Sequence, residues 1–302
     1  MNHPNLRGIF PAMVTPYQNQ EDSALDEARL RELLQRLLPD VDGFVINGTT
    51  GDFPLLSREE RRRTLEITAE EISGADKLLI AGTGAVATRD VITFTQDALA
   101  VGADAALVVT PYYLRPTPAG LYRHFADLAA AVPEMPILLY NFPQLAGQPI
   151  PPETVAALRA DNPSIVGMKD TSGNLSYFLT VMEQTDDDFQ MLVGQGTLLL
   201  PALAMGGVGG VLAAANLIPA HYQKLRAAVA RGDRATARQL QSQIAPVAQV
   251  IDRYGSLGVR VGLELQGFPI GAPRSPLTLE GMLDAAERTA FEQALQACAE
   301  VS

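Results

Sequence analysis

The chain is poor in residues that cross-link or anchor proteins, with one cysteine, Cys298, and no tryptophan among its 302 residues. A single cysteine excludes an intramolecular disulfide, which is typical of proteins from a reducing compartment. The N-terminal segment has no apolar signal core behind positive charge. The sequence also lacks a run of about 20 apolar residues that would span a membrane. These absences predict a cytoplasmic protein.

Positive charge is scarce as well, because 23 lysines and arginines face 34 aspartates and glutamates and give a net charge of -11. This excess of negative charge argues against a nucleic-acid-binding surface. It also means that a site for an anionic substrate needs local positive groups. The 47% apolar and 19% charged residues are typical of a folded globular protein rather than a disordered one.

Histidine is the third rare residue, and all three copies (His3, His124 and His221) fall outside the apolar runs of the sequence. A histidine-based catalytic triad and a histidine-rich metal site are therefore not expected. We predict a site that uses neither a metal ion nor a cofactor.

Eight short apolar runs rich in β-formers alternate with amphipathic segments. Most runs end in Gly, Pro, Thr, Asn or Tyr, which are typical of loops. The runs begin at residues 9 (IFPAMVTP), 43 (GFVINGTTG), 78 (LLIAGTG), 105 (AALVVTPYY), 137 (ILLYNFP), 165 (IVGMKDTSG), 191 (MLVGQG) and 207 (GVGGVLAAAN).

This alternation predicts an α/β fold, a (β/α)8 TIM barrel, because each strand is followed by a helix and the strands are apolar on both faces. An open doubly wound sheet is the alternative. After residue 228 the pattern becomes helical without a further strand. We therefore predict a catalytic barrel over residues 1–228 and a C-terminal helical extension over residues 229–302.

Lys169 is the lysine that needs an explanation. The chain has only three lysines, and Lys77 and Lys224 lie outside the strand runs, whereas Lys169 lies inside one. It could reach solvent or pair with Asp170. Alternatively, it is a nucleophile, because burial favours the neutral amine, and a neutral amine attacks a ketone to form a Schiff base. The iminium then stabilises a carbanion at the adjacent carbon.

Two other strand ends supply suitable partners. Tyr140 ends the preceding strand run and could relay protons, although a strand tyrosine with a hydrated hydroxyl is common. The stretch GTTGD, with Gly48, Thr49, Thr50 and Gly51, offers hydroxyls and exposed N–H groups for a carboxylate. It is also compatible with an ordinary glycine-rich turn. Because active sites of such barrels lie at the carboxyl ends of the strands, we predict one site there.

The stretches GTTGD, VVTPYYLRP, YNFPQLAG and GMKDTSGN resemble, in this order and spacing, the dihydrodipicolinate synthase and N-acetylneuraminate lyase superfamily of pyruvate-type Schiff-base aldolases. The resemblance implies a Schiff base on Lys169, with Tyr140 as proton relay. It implies that Thr49 and Thr50 bind the pyruvyl carboxylate and that Thr50 links Tyr140 to Tyr113, which would come from a neighbouring subunit of a homotetramer (a dimer of dimers). The expected substrate-binding residues are completed by Gly48, Gly51 and Gly194.

The sequence departs from two branches of this superfamily. Where the synthases place an arginine five residues after the tyrosine, this chain has Leu145; where the lyases carry an acidic pair after the seventh strand, it has Gln195 and Gly196. The whole motif set is similar to that of 2-keto-3-deoxy sugar acid aldolases. We therefore expect cleavage of such an acid to pyruvate and an aldehyde, with a dihydrodipicolinate synthase or a keto-deoxy-acid dehydratase as alternatives.

Two hypotheses from other functional classes are also compatible with the sequence. A keto-acid binding protein on the same scaffold would need neither Lys169 nor Tyr140. A nicotinamide-dependent oxidoreductase is disfavoured because no G-x-G-x-x-G motif follows the first strand run.

Overall fold

A computed structural model describes residues 3–18 and 24–299 of the chain. Its eight strands are parallel and hydrogen-bonded in the order β1-β8-β7-β6-β5-β4-β3-β2. The strands are β1 (Gly8–Pro11), β2 (Gly43–Ile46), β3 (Leu78–Gly82), β4 (Ala105–Val109), β5 (Ile137–Asn141), β6 (Ile165–Asp170), β7 (Gln190–Val193) and β8 (Gly209–Leu212).

The sheet closes between β1 and β2. Ala12, just after β1, forms a parallel bridge with Val45, and the Met13 N–H donates to the Val45 carbonyl at 2.9 Å. A closed sheet has no free edge for an open doubly wound arrangement. The prediction of a (β/α)8 barrel is therefore confirmed.

Each strand is followed by helix, and three more helices end the described chain. Good start signals explain several boundaries: Ser57 caps the helix after β2 in a reciprocal capping box with Glu60. The helices are α1 (Glu27–Leu37), α2 (Arg58–Glu71), α3 (Thr88–Val101), α4 (Pro118–Ala131), α5 (Pro143–Ala146), α6 (Pro152–Asp161), α7 (Leu175–Gln184), α8 (Leu199–Ala204), α9 (Pro219–Ala230), α10 (Arg234–Tyr254), α11 (Ser256–Leu265) and α12 (Ala285–Ala299).

Two apolar clusters form the core. The larger one joins the outer faces of the strands to the surrounding helices. The smaller one consists mainly of inward-facing strand residues, among them Leu138 and Tyr140, and fills the barrel. Because successive side chains of a strand point to opposite faces, the polar residues at the strand ends divide between these two environments.

The register of β6 carries an irregularity. Ile137 of β5 pairs with Ile165, but Leu138 pairs with Gly167, so that Val166 is an extra residue on β6. Such a bulge resets which side chains face inward beyond it. From there on, Leu139 pairs with Met168 and Tyr140 with Lys169, which puts Lys169 on the inner face beside Tyr140.

The C-terminal helices pack onto the barrel. Helix α10 lies along α9, α12 lies along α10, and α11 contacts the turn after β2. The buried side chains of Phe291, Leu295 and Cys298 attach α12 to the larger cluster. The predicted helical extension is thus present. The boundary predicted at residue 228 falls inside α9, and the division into two domains stays a prediction.

Within residues 3–18 and 24–299, no helix combines the length and the apolarity that crossing a membrane requires.

Candidate active site

Lys169 and Tyr140 lie side by side at the carboxyl ends of neighbouring strands. They are paired in register, and Nζ of Lys169 is 4.1 Å from the centroid of the Tyr140 ring. Both side chains are buried, with 4% and 3% of their surface exposed. Lys169 therefore does not extend into bulk solvent, and its amine is held against an aromatic ring.

Asp170 belongs to a different network. Its Oδ1 accepts hydrogen bonds from Asn141 Nδ2 at 2.7 Å and from the Ser172 N–H at 3.1 Å, and its Oδ2 accepts one from Ser172 Oγ at 2.8 Å. Burial raises the pKa of the Asp170 carboxyl above its ordinary value, and these hydrogen bonds partly offset the effect. This network fixes the ends of β5 and β6, and so supports the strands that carry Tyr140 and Lys169.

The stretch GTTGD forms a tight turn above these two residues. Thr49–Gly51 make a single 3-10 turn, and Thr49 Oγ1 lies 3.5 Å from the Tyr140 hydroxyl. The resemblance assigned the link with Tyr140 to Thr50, whereas the hydroxyl that meets Tyr140 is that of Thr49. Thr15 Oγ1 donates to the Gly51 carbonyl at 2.7 Å and so connects the turn to the segment after β1.

Asn47 and Asp52 bracket this turn, and both have left-handed backbones, with φ of 59° and 55°. Few residue types other than glycine adopt this conformation easily. Asn47 Nδ2 donates to the Arg61 carbonyl at 2.7 Å, and Thr64 Oγ1 donates to Asn47 Oδ1 at 2.9 Å. Helix α2 therefore fixes the entry to the turn.

A cavity of about 620 Å³ opens at this end of the barrel. Its inner part is lined by Thr49, Thr50, Tyr140, Lys169 and Gly194. A volume of this size is typical of small-molecule sites. The structure thus brings together five of the eight residues named for the site.

Gly194 lies in the cavity wall, at a position where a side chain would not fit. A Cβ at this position would lie 1.9 Å from Thr171 Oγ1 and 2.9 Å from Lys169 Cε. Gly48 and Gly51 belong to the turn but are outside the cavity lining.

Tyr113 is the residue that the chain does not bring into its own site. It is 95% exposed, does not line the cavity and has a positive φ of 69°. That backbone conformation is unfavourable for an aromatic residue.

The outer part of the cavity contains residues that the motifs did not identify. Asp252 and Arg253 at the end of α10, and Ser256 and Leu257 of α11, line it together with Leu145. The stretch DRYGS contains the junction of α10 and α11, and its glycine, Gly255, has a φ of 57°. A glycine between two helical patterns is the signal in the sequence for this junction.

A buried ion pair was missed too. Arg260 of α11 donates from Nη2 to the Thr15 carbonyl at 2.7 Å and to Asp52 Oδ2 at 3.2 Å, and its guanidinium lies 4.9 Å from the centroid of the Tyr17 ring. Burial lowers the pKa of Arg260, and the Asp52 carboxylate counteracts this. The pair ties the helical extension to the turn that carries Thr49 and Thr50.

Among the residues that the structure describes, no group of three or more His, Cys, Asp or Glu side chains is placed to hold a metal ion.

The comparison with known families supports the motif-based resemblance. Residues 5–298 match the Dihydrodipicolinate synthetase family. Curated relatives named 4-hydroxy-tetrahydrodipicolinate synthase include one from Nitratidesulfovibrio vulgaris (strain DP4), 38% identical over 86% of this chain and 88% of its own. Another, from Methanopyrus kandleri, is 39% identical over 90% of both chains.

Solved structures agree with the fold. The 4-hydroxy-tetrahydrodipicolinate synthase of Methylacidiphilum fumariolicum SolV superposes with a TM-score of 0.91 at 33% identity, covering 98% of this chain and 96% of its own. A prophage protein of the dihydrodipicolinic acid synthase family from E. coli K12, in complex with pyruvate, gives 0.89 at 28% identity, covering 97% and 99%.

Proposed function

Because the chain belongs to the dihydrodipicolinate synthetase family, whose members are pyruvate-dependent lyases, we propose that it binds pyruvate as a Schiff base on Lys169. The observation that carries the proposal is the buried Lys169 amine, 4.1 Å from the centroid of the Tyr140 ring, in a cavity of about 620 Å³ that also contains Thr49 and Thr50. A protein that only binds keto acids would need neither the amine nor the phenol.

The proposed chemistry follows from these groups. The neutral amine of Lys169 attacks C2 of pyruvate, and loss of one water leaves a protonated imine. Removal of a proton from C3 gives the enamine, which attacks the carbonyl carbon of an aldehyde. The new carbon–carbon bond forms as the aldehyde oxygen takes up a proton and the imine is formed again. Addition of one water to the imine releases the product. Cleavage follows the same steps in reverse.

Tyr140 is placed to move the protons, since its ring contacts the amine and its hydroxyl lies 3.5 Å from Thr49 Oγ1. In this assignment the phenol donates a proton to the carbinolamine hydroxyl, which leaves as water, and it recovers that proton when water adds to the imine. Thr49 orients that phenol. The hydroxyls and N–H groups of the Thr49–Thr50 turn receive the pyruvyl carboxylate.

Two specific reactions are candidates. The curated relatives favour 4-hydroxy-tetrahydrodipicolinate synthase, the name they carry at 38–39% identity, and on the comparisons this candidate stands ahead of sugar acid cleavage. The product in that name, 4-hydroxy-tetrahydrodipicolinate, has two carboxylates, and pyruvate supplies one of them. The other comes from a four-carbon amino aldehyde, aspartate semialdehyde, which brings a second carboxylate into the site.

Leu145 favours the second candidate. It lines the cavity and is exposed at the position where the synthases place an arginine. An apolar side chain gives no counter-charge to a second carboxylate, and so suits an aldehyde that is uncharged. Cleavage of a 2-keto-3-deoxy sugar acid to pyruvate yields such an aldehyde.

Borohydride trapping tests the Schiff base. Incubation with pyruvate and borohydride should leave a reduced adduct on the peptide that contains Lys169. The Lys169→Ala variant should be folded, should carry no adduct and should not turn over. Lys224→Ala is the matched control, because Lys224 lies on α9, and it should trap pyruvate as the wild type does. An adduct elsewhere, or turnover by Lys169→Ala, would contradict the proposal.

Two assays separate the reactions. One measures condensation of pyruvate with aspartate semialdehyde, and the other measures pyruvate release from 2-keto-3-deoxygluconate. Synthase activity predicts a much larger kcat/KM in the first assay. If kcat/KM is larger in the 2-keto-3-deoxygluconate assay, Leu145→Arg should lower the KM for aspartate semialdehyde, because the arginine supplies the missing counter-charge. No change in that KM would remove Leu145 from the argument.

A further inference from the structure

Asp252 lies in the outer wall of the cavity that contains Lys169. The cavity lining beside it includes Ile251, Leu257 and Pro276. Asp252 is an exposed residue, and it belongs to the lining of the cavity. Partial desolvation by the surrounding protein raises the pKa of its carboxyl to about 6. A carboxylate that faces a cavity accepts hydrogen bonds from a ligand that enters it.

The position of Asp252 is fixed by the loop that follows β7. Thr197 Oγ1 donates to Asp252 Oδ2 at 3.1 Å. Gln241, also on α10, donates to the Gly196 carbonyl at 3.1 Å and accepts from the Leu200 N–H at 3.0 Å. Helix α10 is therefore bonded at several points to the loop that begins with Gly194, the glycine next to Lys169. This places the carboxylate and the amine in one cavity.

Two acceptor oxygens in this outer wall are not used by the described residues. Asp252 Oδ1 has no hydrogen-bond partner among the described residues. Gln144 uses its Nε2 to donate to the Ser172 carbonyl at 2.8 Å, which leaves its Oε1. Arg253 also lines the cavity, but its guanidinium is paired with Glu287 at 2.9 Å. These oxygens suit a ligand that donates hydrogen bonds, and Ser256 and Gln195 in the same lining can both donate and accept.

We propose that Asp252 binds hydroxyl groups of the aldehyde half of the substrate, and that it selects a hydroxylated chain over one that ends in a carboxylate. The inference rests on the proposed Schiff-base function and assigns the substrate class of its second half. A hydroxyl donates to the carboxylate, whereas a second carboxylate in the cavity would be repelled by it and would find Leu145 instead of a cation.

Three aldehydes test this assignment in condensation with pyruvate: glyceraldehyde, which carries hydroxyls, propionaldehyde, which has none, and succinic semialdehyde, which ends in a carboxylate. Asp252→Ala should raise the KM for glyceraldehyde about 10-fold or more, as expected for loss of a hydrogen bond to a charged group. It should leave the KM for propionaldehyde unchanged and lower that for succinic semialdehyde. Asp252→Asn, which preserves the side-chain shape, should change the three values in the same directions.

Asp76→Ala is the matched control, because Asp76 is exposed and lies just before β3, at the opposite end of the barrel. It should change none of the three values. Equal changes for all three aldehydes in Asp252→Ala, with borohydride trapping on Lys169 intact, would overturn the inference and leave the proposed function standing. A wild-type protein that traps no pyruvate on Lys169 would overturn both.

Discussion

At the scale of single residues, Tyr140 is the link between the amine and the threonine turn. Its ring lies against Nζ of Lys169 and its hydroxyl lies 3.5 Å from Thr49 Oγ1. Tyr140→Phe keeps the ring and removes the proton relay. We expect kcat to fall about 100- to 10,000-fold, while the adduct with pyruvate still forms, more slowly. Tyr112→Phe, outside the cavity lining, is the control, and an unchanged kcat in Tyr140→Phe would contradict the role of the phenol.

His124 makes stability depend on pH. It is buried, its Nδ1 lies 2.8 Å from Thr88 Oγ1, and its Nε2 has no partner among the described residues. Burial lowers its pKa to about 4, whereas an unfolded histidine titrates near about 6.5. Between these values the unfolded chain binds more protons, so stability is lost as pH falls from about 6.5 towards 4.

The prediction is a loss of about 2 kcal/mol from this histidine between pH 7 and pH 5. Urea unfolding of the wild type and of His124→Gln at both pH values measures it. The raised pKa values of Asp170 and Asp252 act in the opposite direction in both proteins, and the comparison cancels them. Equal pH dependence of the two proteins would show that His124 is not the cause.

At the scale of elements, the Arg260–Asp52 pair connects α11 to the turn that follows β2. Both side chains are almost fully buried, with exposures of 1% and 3%. Arg260→Met leaves the Asp52 carboxylate buried without its partner, which costs about 3–5 kcal/mol. Adding Asp52→Asn should recover part of that loss, so the double variant should be more stable than the sum of the single ones predicts.

Urea unfolding of the four proteins of this cycle gives the coupling. The control is the exposed pair Arg288–Glu264, which joins α12 to α11 at 3.0 Å. Its removal should cost less than about 1 kcal/mol. Additive losses at Arg260 and Asp52 would mean that the buried pair does not couple the two elements.

The same elements show what the sequence could and could not predict. The strand pattern predicted eight barrel strands, and the spacing of Tyr140 and Lys169 at successive strand ends predicted that they meet, because neighbouring strands of a barrel end at the same rim. The bulge at Val166 could not be foreseen from the apolar run IVGM. The bulge shifts the pairing of β6 with β5, and this shift places the Lys169 side chain on the inner face of the barrel.

The contribution of the helical extension was equally hidden. Its helices were predicted, but an amphipathic pattern shows only that one face is buried, and it does not tell which rim of the barrel that face covers. Arg260 meets Asp52 across 208 positions of the chain, and Asp252 meets Thr197 across 55. Such contacts depend on how whole elements pack, and no local pattern of the sequence shows which residues meet.

At the scale of the whole molecule, the exposed Tyr113 is the basis for predicting a second subunit. A tyrosine with a positive φ of 69° and 95% exposure has a strained backbone with no contact in its own cavity to compensate for it. The family resemblance assigns this residue to the site of a neighbour. We therefore expect an oligomer in which Tyr113 of one subunit completes the proton relay of Tyr140 in another.

Mixed oligomers test this arrangement directly. Lys169→Ala and Tyr113→Phe should each lower turnover sharply when expressed alone. When they are co-expressed, a site can combine Lys169 from the Tyr113→Phe subunit with Tyr113 from the Lys169→Ala subunit, and both groups are then intact. Activity of the purified mixed oligomer, measured as pyruvate turnover, should therefore exceed the mean of the two parent variants several-fold. If Tyr113 served its own subunit, every mixed site would lack one group, and activity would stay at that mean.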